Sequence, residues 1–177
     1  MHYINKYHSP FGSITLASDG ESLTGLWFDG QKYFGAALSG ENEERDLPIF
    51  KKTRQWLDIY FKGESPDIIL PLSLNASPFR LMVWEILRSI PYGQVISYGD
   101  IAKIISKKMN TNGMSSQAVG GAVGHNPVSI IIPCHRVVGS NGSLTGYAGG
   151  IEKKIKLLTL EKTDMKNMYV PKHGTAI

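Results

Sequence analysis

The chain is organised around the stretch Ser115–Gly150, SSQAVGGAVGHNPVSIIIPCHRVVGSNGSLTGYAGG. This stretch contains the only cysteine of the protein, Cys134, directly before a histidine and at the end of an apolar run. The largely β-branched residues 128–132 predict a short, wholly buried strand, which Pro133 ends. Five glycines from Gly139 to the end of the stretch then predict a flexible wall beside the cysteine. A lone thiol and an imidazole beside such a wall indicate a nucleophile in a cleft.

A plainer interpretation of the same residues stays open. A single cysteine is often a small buried hydrophobic residue without chemistry. Adjacent residues on a regular strand also point to opposite faces, so contact between Cys134 and His135 needs an irregular backbone or a bridging water. Pro133 gives a reason to expect such an irregularity.

Composition narrows the class of protein. The chain has 177 residues, 42% of them hydrophobic and 19% charged, which is typical of a soluble globular protein with one large domain or two small ones. A net charge of +4 is compatible with a polyanionic partner without requiring one. One cysteine excludes an internal disulfide and fits a reducing compartment, so we expect a cytoplasmic protein. No apolar run has the length of a signal peptide or a membrane span, and the scattered histidines predict no metal site.

The first 75 residues predict a small scaffold domain. Residues 2–8, 11–18 and 22–28 have the pattern of short strands separated by turns, and an uneven polar connection follows over 30–47. The spacing of apolar residues over 48–61 predicts an amphipathic helix. A linker, 63–75, is expected to carry one more short strand near residues 68–74.

The segment 76–165 predicts a second, mainly helical domain. Three helices are expected, each after a serine that can cap it. A fourth helix is predicted over about 152–162, and the tail 166–177 is expected to be poorly ordered. The three capped helices are 78–90 after Ser77, 98–107 after Ser97, and 117–124 after Ser115 or Ser116.

The second and third of these helices have the order of a helix-turn-helix, although an ordinary helical pair fits the pattern as well. The third helix contains AVGGAVG, whose glycines each weaken a helix by roughly 1 kcal/mol relative to alanine. A helix surface of such small residues allows close approach to a partner, as binding in a minor groove would require. Only Gln117 and Asn126, at its two ends, offer side chains that could read bases.

The segments PFRLMVWEILRSIPYGQVISYGDIA, AVGGAVGHNPVSIII, PCHRV and GYAGG together resemble the active-site domain of the O6-alkylguanine-DNA alkyltransferases, the methylated-DNA–protein-cysteine methyltransferases. The resemblance is continuous from about Ser77 to Glu161. It implies an α/β (α+β) fold, with a small ribonuclease-H-like domain of sheet and helix before a helical domain that contains a helix-turn-helix and a short active-site strand.

The resemblance also implies a function. An alkyl group would pass irreversibly from O6 of guanine, with O4-alkylthymine as a further substrate, to the sulfur of Cys134. The partner would be double-stranded DNA with the damaged nucleotide flipped out, and the protein would act once, as a monomer, without a cofactor.

Residue roles follow from the same resemblance. His135 would be the base, acting through a water; Glu161 would orient it, and Asn126 would tie the recognition helix to the active-site strand. Without the resemblance, the preferred interpretation of Glu161, which lies near a helix end, is a solvated surface residue. The resemblance gives further roles to three groups of residues. These are Tyr98 for the ring nitrogen N3; Val137, Tyr147 and Ala148 around the guanine; and Ser115, Ser116, Gln117, Ala118 and Gly121 facing DNA.

One position departs from the family pattern. Family members usually carry an arginine that enters the duplex in place of the flipped base, and the matching residue here is Gln117. Glutamine lacks the charge and the planar stacking surface, so we expect weaker flipping or weaker duplex affinity without loss of the reaction. The family's lesion-binding relatives lack the acceptor cysteine, which this chain has. A Cys-His hydrolase and a helix-turn-helix regulator remain as alternatives.

Overall fold

The structure is a computed structural model that describes residues 1–172. It divides into two compact units. The first comprises Met1–Asn75 together with Pro127–Ser129, and the second comprises Ala76–Asn126 and the chain from Ile130 onward. Within residues 1–172, no helix is both long enough and apolar enough to cross a bilayer.

The first unit is built on a four-stranded sheet. Its strands are β1 (His2–Ser9), β2 (Gly12–Ser18), β3 (Leu23–Phe28) and β4 (Asn42–Glu44), in the spatial order β3-β2-β1-β4. The first three pair antiparallel through short turns, as their sequences predict, and β4 pairs parallel to β1. The brief β4 was not predicted, because three polar residues carry no strand pattern. α1 (Pro48–Phe61) begins and ends as predicted.

The outer edge of β3 is covered by irregular chain. Leu23 pairs with the segment around Leu72 through two backbone hydrogen bonds, and Leu26 pairs in the same way with Pro127 and Ser129. A buried edge must have its backbone groups satisfied, so these two segments complete the sheet without forming strands. The strand predicted near residues 68–74 is therefore wrong: the structure has only an isolated bridge there.

The second unit is mainly helical. Its helices are α2 (Pro78–Arg88), α3 (Tyr98–Met109), α4 (Ser116–Gly124) and α5 (Ile151–Leu160). The first three begin after the predicted serine caps, whose hydroxyls accept backbone N–H groups of the first turn. Two short strands, β5 (Ile96–Ser97) and β6 (Val137–Val138), pair in parallel, and a 3₁₀ turn spans Cys134–Arg136. The predicted mixed fold, a sheet followed by a helical part, is confirmed.

The active-site strand predicted at residues 128–132 is wrong. Val128 makes one isolated bridge, and the chain then runs through turns, with Ile130 in the left-handed conformation at φ 70°. The segment is almost wholly buried, as its composition indicated, so the β-branched run reflects burial and not strand pairing. This irregular backbone brings Cys134 to the start of the 3₁₀ turn.

The tail expected to be poorly ordered over 166–177 is packed in its first part. Tyr169 exchanges backbone hydrogen bonds with Gly142 and Leu144, and Met168 packs against a core cluster that includes Leu158. Two apolar residues anchor this segment where the sequence shows no regular period. Residues 173–177 lie outside the described part of the chain.

Candidate active site

Hydrogen bonds to the preceding turn hold Cys134 in place. Asn126, just beyond the end of α4, donates from Nδ2 to the carbonyl of Ile132 at 2.7 Å, and the backbone N–H of Cys134 donates to the same carbonyl at 2.8 Å. The Asn126 side chain also hydrogen-bonds to the sulfur of Cys134. The residue predicted to join the helix to the active-site segment therefore also contacts the cysteine.

The Cys134 thiol is nearly enclosed, with 4% of its surface exposed. Burial raises the pKa of this thiol above its usual value, and the Asn126 hydrogen bond, the charge of Lys154 and two backbone N–H groups only partly offset that rise. The thiol is therefore protonated near neutral pH in the free protein.

His135 and Glu161 form a fully buried pair. The imidazole Nε2 lies 2.6 Å from the Glu161 carboxylate Oε1, and both side chains are inaccessible. Burial would raise the pKa of Glu161, but the hydrogen bonds and charges of His135 and Arg136 lower it to about 2. Burial lowers the pKa of His135, against the opposing effect of Glu161. The pair is therefore an ionised carboxylate beside a neutral imidazole.

This protonation state fixes the role of each imidazole nitrogen. Since the Glu161 carboxylate can only accept, Nε2 carries the hydrogen of the neutral ring and donates it. Nδ1 then holds the lone pair that can take a proton. The arrangement is that of a general base oriented by a carboxylate.

Arg136 is a site residue that the sequence analysis missed. Its guanidinium donates to both Glu161 oxygens, at 2.8 and 3.0 Å, and to the carbonyl of Ile90 at 2.6 Å. The backbone N–H of Gly93 donates to the same carboxylate at 3.1 Å. Glu161, which caps the C-terminal end of α5, is thus held by three groups, and its position against the helix dipole is compensated.

Lys154 is the second missed residue. Its side chain is fully buried, and Nζ donates to the carbonyls of Val137 at 2.6 Å and Thr145 at 2.7 Å. Burial lowers the pKa of Lys154 to about 8, so keeping it charged at pH 7 costs about 3 kcal/mol of folding free energy. A signal was available: Lys154 and Glu161 share one face of α5 with Leu157 and Leu158, at i, i+3, i+4 and i+7.

Tyr98 lines a cavity of about 560 Å³, whose lining residues do not include Cys134, His135 or Glu161. Its hydroxyl donates to the carbonyls of Thr145 and Gly146 at 3.3 and 3.2 Å, and its pKa is raised by burial and by the nearby Cys134. The cavity lining has glycines of α4 on one side and the loop after β6 on the other. The main lining residues are Tyr98, Gly120, Gly121, Gly139, Thr145 and Gly146.

The predicted wall residues lie deeper than expected. Tyr147 is buried, with its ring edge-on to His135 at a centroid distance of 6.4 Å. Ala148 is half-buried, and Val137 is fully buried with its carbonyl bound to Lys154. Thr145 and Gly146 line the cavity, whereas Tyr147, whose side chain is buried, and Ala148 do not.

The predicted DNA-facing residues share one exposed face at the start of α4. Ser115 caps the helix by accepting from the N–H groups of Gln117 and Ala118, and Ser116 and Gln117 line the cavity mouth. The opposite face is buried, and there Trp84 donates to the carbonyl of Ala122 at 2.9 Å.

Gly121 has no packing reason to be a glycine. A side chain at this position would meet no protein atom within 4 Å. At Gly120 a side chain would touch the Tyr98 ring at 3.9 Å, which is an ordinary contact. The surface of α4 around Gly121 is therefore exposed and lacks projecting side chains at this glycine.

Comparison with protein families identifies the class. Residues 2–74 match the ribonuclease-like domain of 6-O-methylguanine DNA methyltransferase, and residues 78–163 match the DNA binding domain of the same protein. The chain belongs to the 6-O-methylguanine DNA methyltransferase family.

Individual relatives agree with this assignment. The chain is 42% identical over 161 residues to a methylated-DNA–protein-cysteine methyltransferase of Haemophilus influenzae, covering 90% of this chain and 86% of that protein. A crystal structure of the O6-methylguanine methyltransferase of Mycobacterium tuberculosis matches with a TM-score of 0.76 and 38% identity, over 98% of this chain and 97% of that one. The M. tuberculosis OGT in complex with DNA matches with a TM-score of 0.78 and 37% identity, over 93% and 98%.

Proposed function

We propose that this protein repairs DNA by direct reversal, transferring an alkyl group from O6 of guanine in double-stranded DNA to the sulfur of Cys134. The observation that carries the proposal is the buried Cys134 thiol, held by Asn126 in the same unit as the His135–Glu161 pair. The family membership and the exposed, smooth face of α4 support DNA as the partner. O4-alkylthymine is a further substrate of the same chemistry.

The reaction starts from a neutral thiol and a neutral imidazole. As the sulfur attacks the alkyl carbon, the thiol proton passes through a water to Nδ1 of His135, and Glu161 stabilises the imidazolium that forms. A carbon–sulfur bond forms while the bond from carbon to O6 breaks. Because the thiol ionises only as the proton moves, the free protein keeps a less reactive sulfur.

The leaving guanine is stabilised by groups around the cavity. When the base is bound, the Tyr98 hydroxyl turns from the carbonyls of Thr145 and Gly146 and donates to ring N3. The carbonyls of Cys134 and Val137 accept from the exocyclic amine, and the Val137 carbonyl uses its second lone pair for the existing bond from Lys154. The target atom is inaccessible inside a duplex, so the nucleotide flips into the cavity and Gln117 enters the vacated stack. Ser115, Ser116, Ala118 and Gly121 lie against the DNA backbone and the minor groove.

Each chain acts once, because the product is a thioether that nothing in the site can reverse. We also propose that the protein acts as a monomer in the cytoplasm, where a reducing environment keeps its one thiol free.

Intact-mass measurement tests this proposal. After incubation with duplex DNA that contains O6-methylguanine, the protein should gain the mass of one methylene, located on Cys134 by peptide mapping. The Cys134→Ser variant should bind the same DNA without gaining mass. A wild-type protein whose mass stays unchanged, or a gain on another residue, would refute the proposal.

A further inference from the structure

A segment that follows α5 is bound to the loop that forms one wall of the cavity. This tail segment comprises residues 165–170, and the wall loop comprises residues 139–146, several of which line the cavity. The N–H of Leu144 donates to the carbonyl of Tyr169 at 2.8 Å, and the N–H of Tyr169 donates to the carbonyl of Gly142 at 3.1 Å. This pairing is that of a parallel β-bridge, so the backbone of the tail segment extends the wall loop.

Side chains reinforce the backbone pairing. Asn141 Nδ2 donates to the Tyr169 hydroxyl at 2.7 Å, while Asn141 Oδ1 accepts from the N–H of Ser143 within the wall loop. Met165 and Met168 pack against the apolar core cluster of the same unit, which anchors the tail segment from below. Tyr169 therefore joins an anchored segment to the wall loop through three hydrogen bonds.

The two segments approach each other so closely that the wall loop needs a glycine. A Cβ atom added at Gly142 would overlap the carbonyl oxygen of Asn167, which belongs to the backbone, so the tail segment would have to move. Gly142 also has a φ of 84°, which favours glycine. The sequence of the wall loop is thus fitted to the tail segment as well as to the cavity.

The same wall loop contacts the groups that receive the base. Its residues Thr145 and Gly146 line the cavity, and their carbonyls accept from the Tyr98 hydroxyl in the free protein. In the proposed reaction this hydroxyl turns to the base. The position of the wall loop then depends more strongly on the tail segment.

We propose that Tyr169 is a positioning residue for the alkyl transfer, an inference that rests on the proposed function: the tail segment keeps the wall loop where it aligns a flipped guanine with Cys134. Tyr169 does not line the cavity and acts through the wall loop alone. Transfer needs the alkyl carbon about 3–3.5 Å from the sulfur and in line with the breaking bond. A wall loop that can withdraw lets the bound base occupy unproductive positions.

Two substitutions of Tyr169 remove its bonds in steps. Tyr169→Phe removes the hydroxyl that accepts from Asn141, whereas Tyr169→Pro also removes the N–H that donates to Gly142. Lys166→Ala is the matched control, because Lys166 is exposed on the same segment. Each protein is assayed for methyl transfer at saturating O6-methylguanine duplex DNA, for affinity to unmodified duplex DNA, and for alkylation of Cys134 by iodoacetamide. Hydrogen exchange of the wall loop and thermal unfolding are measured on the same samples.

Tyr169→Pro should slow methyl transfer at saturating DNA by roughly tenfold, because misalignment lowers the rate of the step itself. Amides of residues 139–146 should exchange faster than in the wild type. Affinity for unmodified DNA should stay the same, and iodoacetamide alkylation of Cys134 should be no slower, because the thiol is unaltered. Tyr169→Phe should show smaller changes in the same direction, and Lys166→Ala should match the wild type.

A folded Tyr169→Pro with wild-type transfer at saturating DNA would overturn the inference. So would a slower transfer that follows the unfolded fraction, since that is the result of a structural role alone. Should Tyr169→Pro fail to fold, Tyr169→Phe is judged by the same criteria. A wild-type protein that accepts no methyl group would instead refute the proposed function. Hydrogen exchange would then still decide whether Tyr169 holds the wall loop, and exchange unchanged by Tyr169→Pro would show that it does not.

Discussion

At the scale of single residues, the site keeps its nucleophile and its base neutral until they are used. Burial raises the pKa of Cys134 and lowers the pKa of His135, so neither group is charged in the free protein. The ionised groups are Lys154 and the pair of Glu161 and Arg136, of which Glu161 accepts from the imidazole. In the proposed reaction, the proton of the thiol is therefore transferred during the reaction and not before it.

Glu161 also makes stability depend on pH. Its pKa is about 2 in the folded protein, below the usual 4.5, so the stabilisation it provides is complete above pH 4.5 and is lost as pH falls from 4.5 towards 2. We expect the unfolding free energy of the wild type to fall relative to that of Glu161→Gln, by up to about 1.4 kcal/mol per pH unit in this range.

Urea unfolding of both proteins between pH 7 and pH 3 measures this difference, with Glu152→Gln as the exposed control on the same helix. A difference between wild type and Glu161→Gln that stays constant through the acid range would show that Glu161 has an ordinary pKa.

At the scale of secondary-structure elements, the glycines of α4 lower the stability of the helix but leave a surface that a partner can approach closely. Gly121 weakens the helix, and a Cβ atom added at this position would meet no protein atom within 4 Å. We expect Gly121→Ala to stabilise the fold by up to about 1 kcal/mol, because alanine favours the helix. The same methyl group should weaken binding to duplex DNA by obstructing close approach.

Thermal unfolding and DNA titration of Gly121→Ala measure the two effects, and reaction with free O6-benzylguanine serves as the control that needs no DNA. Tighter DNA binding by this variant, or unchanged binding, would place the DNA on another surface.

Gln117, at the start of α4, is the residue that we propose enters the duplex in place of the flipped base. Arginine at this position adds a charge and a planar stacking group, so Gln117→Arg should speed repair of duplex DNA. Reaction with free O6-benzylguanine should stay nearly the same, because no base is flipped. Parallel rate measurements on the two substrates test this, and equal acceleration of both would contradict it.

At the scale of the whole molecule, the sequence predicted the helices better than the site. The capping serines and apolar spacing of α2, α3 and α4 are local signals, and these helices begin where the sequence places them. The segment 128–132 has the composition of a strand, but contacts distant in sequence fold it into turns. Local propensity cannot show which of the two occurs.

Only those site residues to which a family motif assigns a role could be predicted from the sequence. Cys134, His135 and Glu161 follow from the family resemblance, and the structure brings His135 and Glu161 within hydrogen-bonding distance. Arg136 and Lys154 were missed because a charged residue is normally read as exposed. Their burial depends on backbone carbonyls that accept their hydrogen bonds, such as that of Val137 for Lys154. The position of these carbonyls cannot be read from the sequence.

The number of methyl groups that each chain accepts shows whether Cys134 is consumed by the reaction. With a large excess of duplex DNA containing O6-methylguanine, we expect demethylation to stop when one methyl group per chain has been transferred, all of it on Cys134. Continued turnover beyond one equivalent, with Cys134 unmodified, would show a catalyst that regenerates its thiol and would refute a single-use acceptor.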